Sequence, residues 1–126
     1  MSRPVHVLVV DDRRDILGFA RIALERAGYE VAVTDSGRQA LELQRRHAAD
    51  LLITDIFMPE VDGMEIIDRF QREYPRTRII AMSGGAEHMR DYLGIALQIG
   101  VDATLRKPFT VEELLRTVRR VQGAPR

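Results

Sequence analysis

Five short apolar runs alternate with five stretches of helical periodicity, and this alternation limits the possible folds more than any other feature of the sequence. The runs are predicted strands at Val5–Val10, Val31–Thr34, Leu51–Thr54, Ile79–Met82 and Ala103–Leu105. Strands that alternate with helices predict a parallel sheet covered by helices on its faces. The first and third runs are almost continuously apolar, which is typical of strands buried on both faces. We therefore expect an α/β fold with these two strands inside the sheet.

Glycine and capping residues indicate where the helices begin and end. The first helix is predicted to end at Gly28, because glycine readily adopts the left-handed conformation that closes helices. Its buried stripe is predicted to be Ile16, Leu17, Ala20, Ala23, Leu24 and Ala27. Three later helices begin with a pattern in which a short polar side chain can bond a free amide of the first turn. These pairs are Ser36 with Gln39, Asp62 with Glu65, and Thr110 with Glu113.

The size and charge of the chain exclude several classes of protein. Its 126 residues have room for one domain, predicted over 1–122, with a short flexible tail at 123–126. Nineteen acidic and nineteen basic side chains cancel, so no net charge favours nucleic acid or an anionic membrane. The absence of cysteine excludes thiol chemistry, and no apolar segment has the length of a membrane span. We expect a cytoplasmic protein with no direct binding to nucleic acid or membranes.

Polar side chains follow four of the five predicted strands. Asp11 and Asp12 come after the first strand, Asp55 after the third, Ser83 after the fourth and Lys107 after the fifth. In an open parallel sheet, ligands bind in the crevice at the carboxyl ends of the strands. Each residue alone could cap a helix or a turn. Together they predict one shared site.

The residue types at this site indicate phosphoryl chemistry. Three carboxylates repel one another unless a cation lies among them, and oxygen ligands favour a hard ion such as Mg²⁺. One carboxylate could then attack phosphorus and become an aspartyl phosphate. Asp55 is the best candidate because it stands alone, whereas Asp11 and Asp12 are adjacent and suit metal binding. Lys107, the only lysine beside 18 arginines, could hold the phosphoryl oxygens together with the Ser83 hydroxyl.

These residues occur in an order that identifies a family. They are the pair Asp11 and Asp12, the segment Asp55, Ile56, Phe57, Met58, Pro59, Glu60, Val61, Asp62 and Gly63, the step Ser83 and Gly84, and the run Lys107, Pro108 and Phe109. In this order they resemble the receiver domains of two-component response regulators, over essentially the whole chain. The resemblance implies a flavodoxin-like doubly wound (βα)5 fold with strand order 2-1-3-4-5. It also implies a phosphorelay protein of the single-domain type.

The resemblance further implies how phosphorylation would proceed. A sensor histidine kinase or a phosphotransfer protein would donate a phosphoryl group to Asp55. Asp12 and Asp55 would bind Mg²⁺ directly, together with the backbone carbonyl of Phe57. Asp11 would act partly through water.

The same resemblance implies a conformational switch. Lys107 would pair with the phosphoryl group, and Ser83 would move toward it. Gly84 and Gly85 lack side chains, so we expect the loop after Ser83 to be mobile. The peptide bond before Pro108 would be cis. Thr104 departs from the family pattern, because receivers usually carry an aromatic residue three positions before the lysine. Thr104 would then pack as an ordinary strand residue, and signalling would depend on the Ser83 loop.

The helix predicted over about 87–99 is apolar across an arc of about 200°, which is wider than one buried face needs. Its apolar residues are Met89, Tyr92, Leu93, Ile95, Ala96, Leu97 and Ile99. Either the helix is nearly enclosed, or Ile95 and Ile99 form a surface for a partner protein. We favour the partner surface, since receivers commonly bind partners near this helix. The last helix is a second expected contact, and activation could also produce a homodimer.

Two other functions share part of this pattern. A hydrolase with an aspartate nucleophile would need a second aspartate two residues further on and a substrate-covering cap, but Asp11 is followed by Asp12 and Arg13. A degenerate receiver would act only as a binding scaffold, yet every pocket residue is retained. We therefore expect no enzyme with a separate substrate. The chain would catalyse only its own phosphorylation and dephosphorylation, and would act through other proteins.

The three histidines contribute nothing to this expected function. His6 lies in a strand, His47 near the end of a helix and His88 at the start of the apolar helix. No neighbour in the sequence indicates catalysis or metal binding by any of them. We expect all three to lie on the surface or to pack in the fold.

Overall fold

The structure, a computed structural model, describes residues 3–58, 63–84 and 92–123. Its strands are β1 (His6–Val10), β2 (Glu30–Thr34), β3 (Leu51–Asp55), β4 (Arg78–Ser83) and β5 (Ala103–Arg106). Its helices are α1 (Arg14–Arg26), α2 (Gly37–Arg46), α3 (Gly63–Glu73), α4 (Tyr92–Gln98) and α5 (Val111–Gly123). The strands form one parallel sheet in the order β2-β1-β3-β4-β5. The predicted fold and strand order are confirmed.

The two most apolar strands lie inside the sheet, as predicted. Every residue of β1 and of β3 is buried, whereas the edge strand β2 is buried only at Thr34. β1 pairs with β2 on one side and with β3 on the other, so Val7 lies opposite both Val31 and Leu51. These strands have no solvent-facing side, which explains their nearly unbroken apolar sequences.

Successive residues of each strand point to opposite faces of the sheet, so both faces carry apolar side chains, and helices cover both faces. On one face, Val7 packs in a cluster with Leu24 of α1 and Val118 of α5. On the other face, Leu8 belongs to a second cluster that includes Phe70 of α3. The sheet thus separates two apolar layers. The two ends of its strands, which the helices do not cover in this way, remain available for polar groups.

The ends of α1 and α5 follow the capping signals in most respects. α1 is followed by Gly28, whose φ of 97° is the left-handed conformation that glycine adopts readily. Thr110 and Glu113 bond each other's backbone amides in a reciprocal capping box. α5 continues through Gln122 and Gly123, so the helix extends one residue into the predicted tail.

Other predicted details differ from the structure. Along α1, Leu17, Ala20, Ala23 and Leu24 are buried, but Ile16 is half-buried and Ala27 is exposed because it already lies at the helix end. The Ser36 hydroxyl does accept a bond from the Gln39 amide, as predicted, although the Gln39 side chain contacts the Thr34 hydroxyl and does not close a capping box. Asp62, Met89 and residues 124–126 lie outside the described residues. Among those described, no helix combines the length and apolar character needed to cross a membrane.

Candidate functional site

The carboxyl ends of the strands open onto a cavity of about 560 Å³. This is the edge of the sheet where an open parallel fold places its ligands. Predicted site residues in the cavity wall are Asp12, Asp55, Phe57, Gly84, Lys107 and Pro108. The start of α1 and the residue before it add Arg13, Asp15 and Ile16, which were not predicted as site residues. The cavity therefore brings together residues that are nearly 100 positions apart in the chain.

Three carboxylates converge at this edge. Asp11, Asp12 and Asp55 each offer an oxygen, and these oxygens lie within 4.8 Å of one another. Asp11 is completely buried and Asp55 is nearly so, whereas Asp12 is exposed to the cavity. The Arg13 amide donates a hydrogen bond of 2.9 Å to Asp11 Oδ1, which fixes that carboxylate at the start of α1.

Lys107 is the cation among these carboxylates. Its Nζ lies 2.5 Å from Asp11 Oδ2 and 3.5 Å from Asp55 Oδ2, and its side chain is 13% exposed. The Lys107 amide donates to the Ser83 carbonyl at 2.7 Å, and the bond to Pro108 is cis, as the family resemblance implied. A Cβ atom on Gly84 would lie 2.3 Å from the Lys107 Cβ. Gly84 thus leaves the space through which the lysine stem reaches the carboxylates.

The charges in the site are not balanced by the protein alone. Burial raises the pKa of Asp55 to about 6, although the charge of Lys107 acts in the opposite direction and that of Asp11 in the same direction. Burial also raises the pKa of Asp11, against its hydrogen bond with Lys107. One ammonium group is insufficient for three carboxylates, so an additional cation would be stabilised here. The ligand set consists only of oxygen atoms, which fits Mg²⁺.

The predicted switch residues occupy the neighbouring strands. Ser83 ends β4 and is buried, and Gly84 after it lines the cavity. Thr104 lies in β5 opposite Ala81 of β4 and is half-buried, so it packs as a strand residue, as expected. Gly85 and the residues after it up to 91 lie outside the described residues.

His6 is buried in β1 and His47 is exposed after α2, as predicted, but the sequence did not indicate that the two histidines are neighbours. The rings of His6 and His47 lie 4.3 Å apart, and both contact the Glu30 carboxylate. His6 and Glu30 begin adjacent strands and lie opposite each other in the sheet. This pairing brings them together, and their spacing in the sequence does not indicate it. His88 lies outside the described residues.

A shallow apolar groove between α1 and α5 was also missed. Phe19, Ile22 and Val111 are exposed on it, and the groove has a volume of about 280 Å³. The sequence analysis assigned exposed apolar residues to the 87–99 helix only, because the stripe on α1 was read as a single buried face. Phe19 contacts Phe109, which links this groove to the segment after Lys107.

Comparison with known proteins agrees with the geometry of the site at the carboxyl ends of the strands. Residues 7–119 match the sequence model of a family described as the response regulator receiver domain. The response regulator SaeR of Staphylococcus aureus is 35% identical over 111 residues, which are 87% of this chain and 47% of SaeR. The chain therefore spans about half the length of this curated relative.

Solved structures give the same result over nearly the whole chain. The chemotaxis response regulator CheY4 of Vibrio cholerae is 32% identical, with a TM-score of 0.79 over 94% of this chain and 99% of CheY4. A response regulator receiver domain protein from Clostridium thermocellum is 28% identical, with a TM-score of 0.84 over 93% of each chain. The likeness thus extends from the sheet order to all five strand–helix units.

Proposed function

Because this chain belongs to the response regulator receiver domain family, we propose that it accepts a phosphoryl group on Asp55 in an Mg²⁺-dependent reaction and thereby changes its affinity for a partner protein. The observation that carries this proposal is the grouping of Asp55 with Asp11, Asp12 and Lys107 at one open cavity. A buried nucleophile, a metal-binding set of oxygens and a cation for the phosphoryl group are the parts that such a transfer needs.

The chemistry consists of one bond formed and one broken. An Asp55 carboxylate oxygen attacks phosphorus, and the bond from phosphorus to the donor's leaving atom breaks. Asp11, Asp12, Asp55 and the Phe57 carbonyl would hold Mg²⁺, whose charge offsets that of the carboxylates and of the incoming phosphoryl oxygens. Lys107 is already within 3.5 Å of Asp55, so a small movement of its flexible stem would bring the ammonium to a phosphoryl oxygen.

The donor and the setting are part of the same proposal. We assign the donor role to a sensor histidine kinase or a phosphotransfer protein in the cytoplasm. The nucleophile belongs to the protein itself, so the chain catalyses its own phosphorylation and dephosphorylation rather than the turnover of a separate substrate.

We assign the partner surface to α4, with α5 as a further contact. Ile95, Leu97 and Ile99 have exposed fractions of 43%, 53% and 41%, while Ala96 between them is buried. The alternative that this helix is nearly enclosed is therefore wrong for its described residues. Ile99 follows the last residue of α4, and its amide donates to the Ile95 carbonyl at 3.1 Å, so Ile95 and Ile99 are one turn apart and offer apolar area to another protein or to a second copy of the chain.

Intact mass after incubation with acetyl phosphate and Mg²⁺ tests the phosphorylation step. We expect an adduct of one phosphoryl group that hydroxylamine removes, and no adduct with EDTA or in Asp55→Asn. Asp68→Asn is the matched control, because Asp68 is an exposed carboxylate on α3 that pairs with Arg72. That variant should be phosphorylated like the unaltered chain.

Two further outcomes discriminate between the functions. Lys107→Arg keeps the charge but replaces a flexible point charge with a planar fork, so we expect slower phosphorylation with unchanged folding. A folded chain that forms no adduct under any condition would contradict the proposal and favour a receiver that acts only as a binding scaffold.

A further inference from the structure

The amino-terminal edge of the sheet, opposite the acidic cavity, carries a second group of metal-ligating side chains. His6 begins β1 and Glu30 begins β2, and the two residues pair in register across these parallel strands. Their side chains therefore lie on the same face of the sheet. His47 ends α2, which packs on that face, and its ring reaches the other two side chains. Three elements thus contribute one ligand-type group each.

The Glu30 carboxylate lies close to both imidazoles. Its Oε1 is 3.4 Å from His6 Nδ1 and 3.7 Å from His47 Nε2. One potential ligand atom from each of the three residues lies within 4.8 Å of the others. Glu30 and His47 have side chains that are 54% and 64% exposed, so an ion from solvent can reach the group.

His6 provides an independent sign that a ligand is expected here. Its side chain is only 9% exposed, and Nδ1 is buried without a hydrogen-bond partner. Buried polar atoms in native proteins are nearly always hydrogen-bonded, so such an atom requires an explanation. Nδ1 lies 3.4 Å from Glu30 Oε1, beside the position that a shared ion would occupy.

The two nitrogen–oxygen separations, 3.4 and 3.7 Å, are close to those between ligand atoms on a tetrahedral ion. Metal–ligand bonds of about 2.0 to 2.2 Å place neighbouring ligand atoms about 3.3 to 3.6 Å apart. Two imidazoles and one carboxylate are a ligand set typical of zinc, whereas the oxygen-only set at the other edge suits a hard ion. We propose that His6, Glu30 and His47 form a Zn²⁺ site whose fourth position is open to solvent.

Asp50 and Arg3 lie beside this group and hold His6 in place, but they do not neutralise the Glu30 carboxylate. The Asp50 carboxylate accepts a hydrogen bond of 2.8 Å from the His6 backbone amide. It also forms an ion pair with Arg3 at 2.7 Å. Arg3 is therefore engaged by Asp50, and Glu30 remains directed at the histidines. A bound ion would connect the starts of β1 and β2 to the end of α2.

A titration with Zn²⁺ in the presence of excess Mg²⁺ tests the site. Binding is measured by calorimetry and by the ¹H–¹⁵N signals of the histidine rings. We expect one equivalent of Zn²⁺ to bind and to shift the ring signals of His6 and His47, with His88 as an internal control. His47→Ala and Glu30→Gln should each weaken binding by on the order of 100-fold. Glu112→Gln, an exposed glutamate of α5, should bind Zn²⁺ like the unaltered chain.

The remaining outcomes separate this site from the acidic cavity. Zinc binding should persist in Asp55→Asn, so its loss in that variant would assign the ion to the cavity and overturn the proposal. Absence of binding, or binding that His47→Ala leaves unchanged, would also overturn it. The exposed position of His47 means that its variant should fold normally, which circular dichroism can verify. None of these results depends on whether Asp55 is phosphorylated.

Discussion

At the scale of single residues, the charge of Asp55 opposes folding. Its pKa is about 6 in the folded protein against an ordinary value of 3.8, because burial disfavours the ionised form. The folded state therefore loses stability as the pH rises from about 4 to about 6, and the loss is complete above that range. We expect Asp55→Asn to raise the free energy of unfolding of the metal-free protein by about 1–3 kcal/mol at pH 7.5.

Urea unfolding at several pH values measures this effect. The gain should decline below pH 6 and disappear below about pH 4, where Asp55 is protonated in both states. Saturating Mg²⁺ should reduce the gain, since the ion would stabilise the unaltered carboxylates. Asp68→Asn, which removes an exposed charge, should change little. Equal stability of Asp55→Asn and the unaltered chain at pH 7.5 would contradict the proposed effect of burial.

Single residues also show which parts of the sites could be read from the sequence. Asp55 and Lys107 were identifiable because each follows a predicted strand, and parallel strands end at one edge. His6 and His47 were not, because their proximity depends on the register of β1 with β2 and on where α2 ends. No local spacing encodes that juxtaposition.

At the scale of elements, α3 begins in direct contact with the backbone that follows β3. A Cβ atom on Gly63 would lie 1.9 Å from the Asp55 carbonyl oxygen and 2.6 Å from the Ile56 Cα. The Gly63 amide also donates to the Ile56 carbonyl at 2.9 Å. We expect Gly63→Ala to lower the free energy of unfolding by about 1–3 kcal/mol, because backbone atoms cannot move aside as a side chain can.

Gly18→Ala is the matched control for this substitution. Gly18 lies in the interior of α1, and a Cβ atom there would meet nothing within 4 Å. Alanine should therefore stabilise the helix by about 0.5–1 kcal/mol. Urea unfolding of both variants provides the comparison. The close contact at Gly63 would be refuted if Gly63→Ala left the free energy of unfolding unchanged or raised it, as Gly18→Ala is expected to do.

Element boundaries were predicted more closely than element contacts. Each strand begins and ends within one residue of its predicted bounds, because polar residues or glycine interrupt every apolar run. The exposed groove beside Phe19 was not predicted, since periodicity describes one helix at a time. Whether a helix face is covered depends on which neighbour packs against it.

At the scale of the whole molecule, the two edges of the sheet carry different sites. The alternation of strands and helices predicts a layered sheet, but the order β2-β1-β3-β4-β5 came from family resemblance, because periodicity does not determine which strands are neighbours. In this order β3 is the central strand, so Asp55 lies at the middle of the row of carboxyl ends. β4, which precedes α4 in the chain, pairs directly with β3.

Phosphorylation should therefore alter α4 and leave the opposite edge unchanged. Asp55 pairs in register with Met82, and Ser83 ends the same strand before the segment that leads to α4. We expect peptides covering 92–98 to change in amide hydrogen exchange after treatment with acetyl phosphate and Mg²⁺, with no change around His6 and Glu30. Asp55→Asn, treated identically, is the control. Unchanged exchange at 92–98 in protein shown by mass to be phosphorylated would argue against α4 as the output surface.

Lys107 is the only side-chain amine in this chain, and it lies within the cavity against Asp11. Reagents that acylate amines can therefore modify just two positions, the chain terminus and this lysine. The rate at which Lys107 is acylated would report directly on how the cavity is occupied. The composition of this protein thus supplies a site-specific chemical probe of the cavity, without any engineered label.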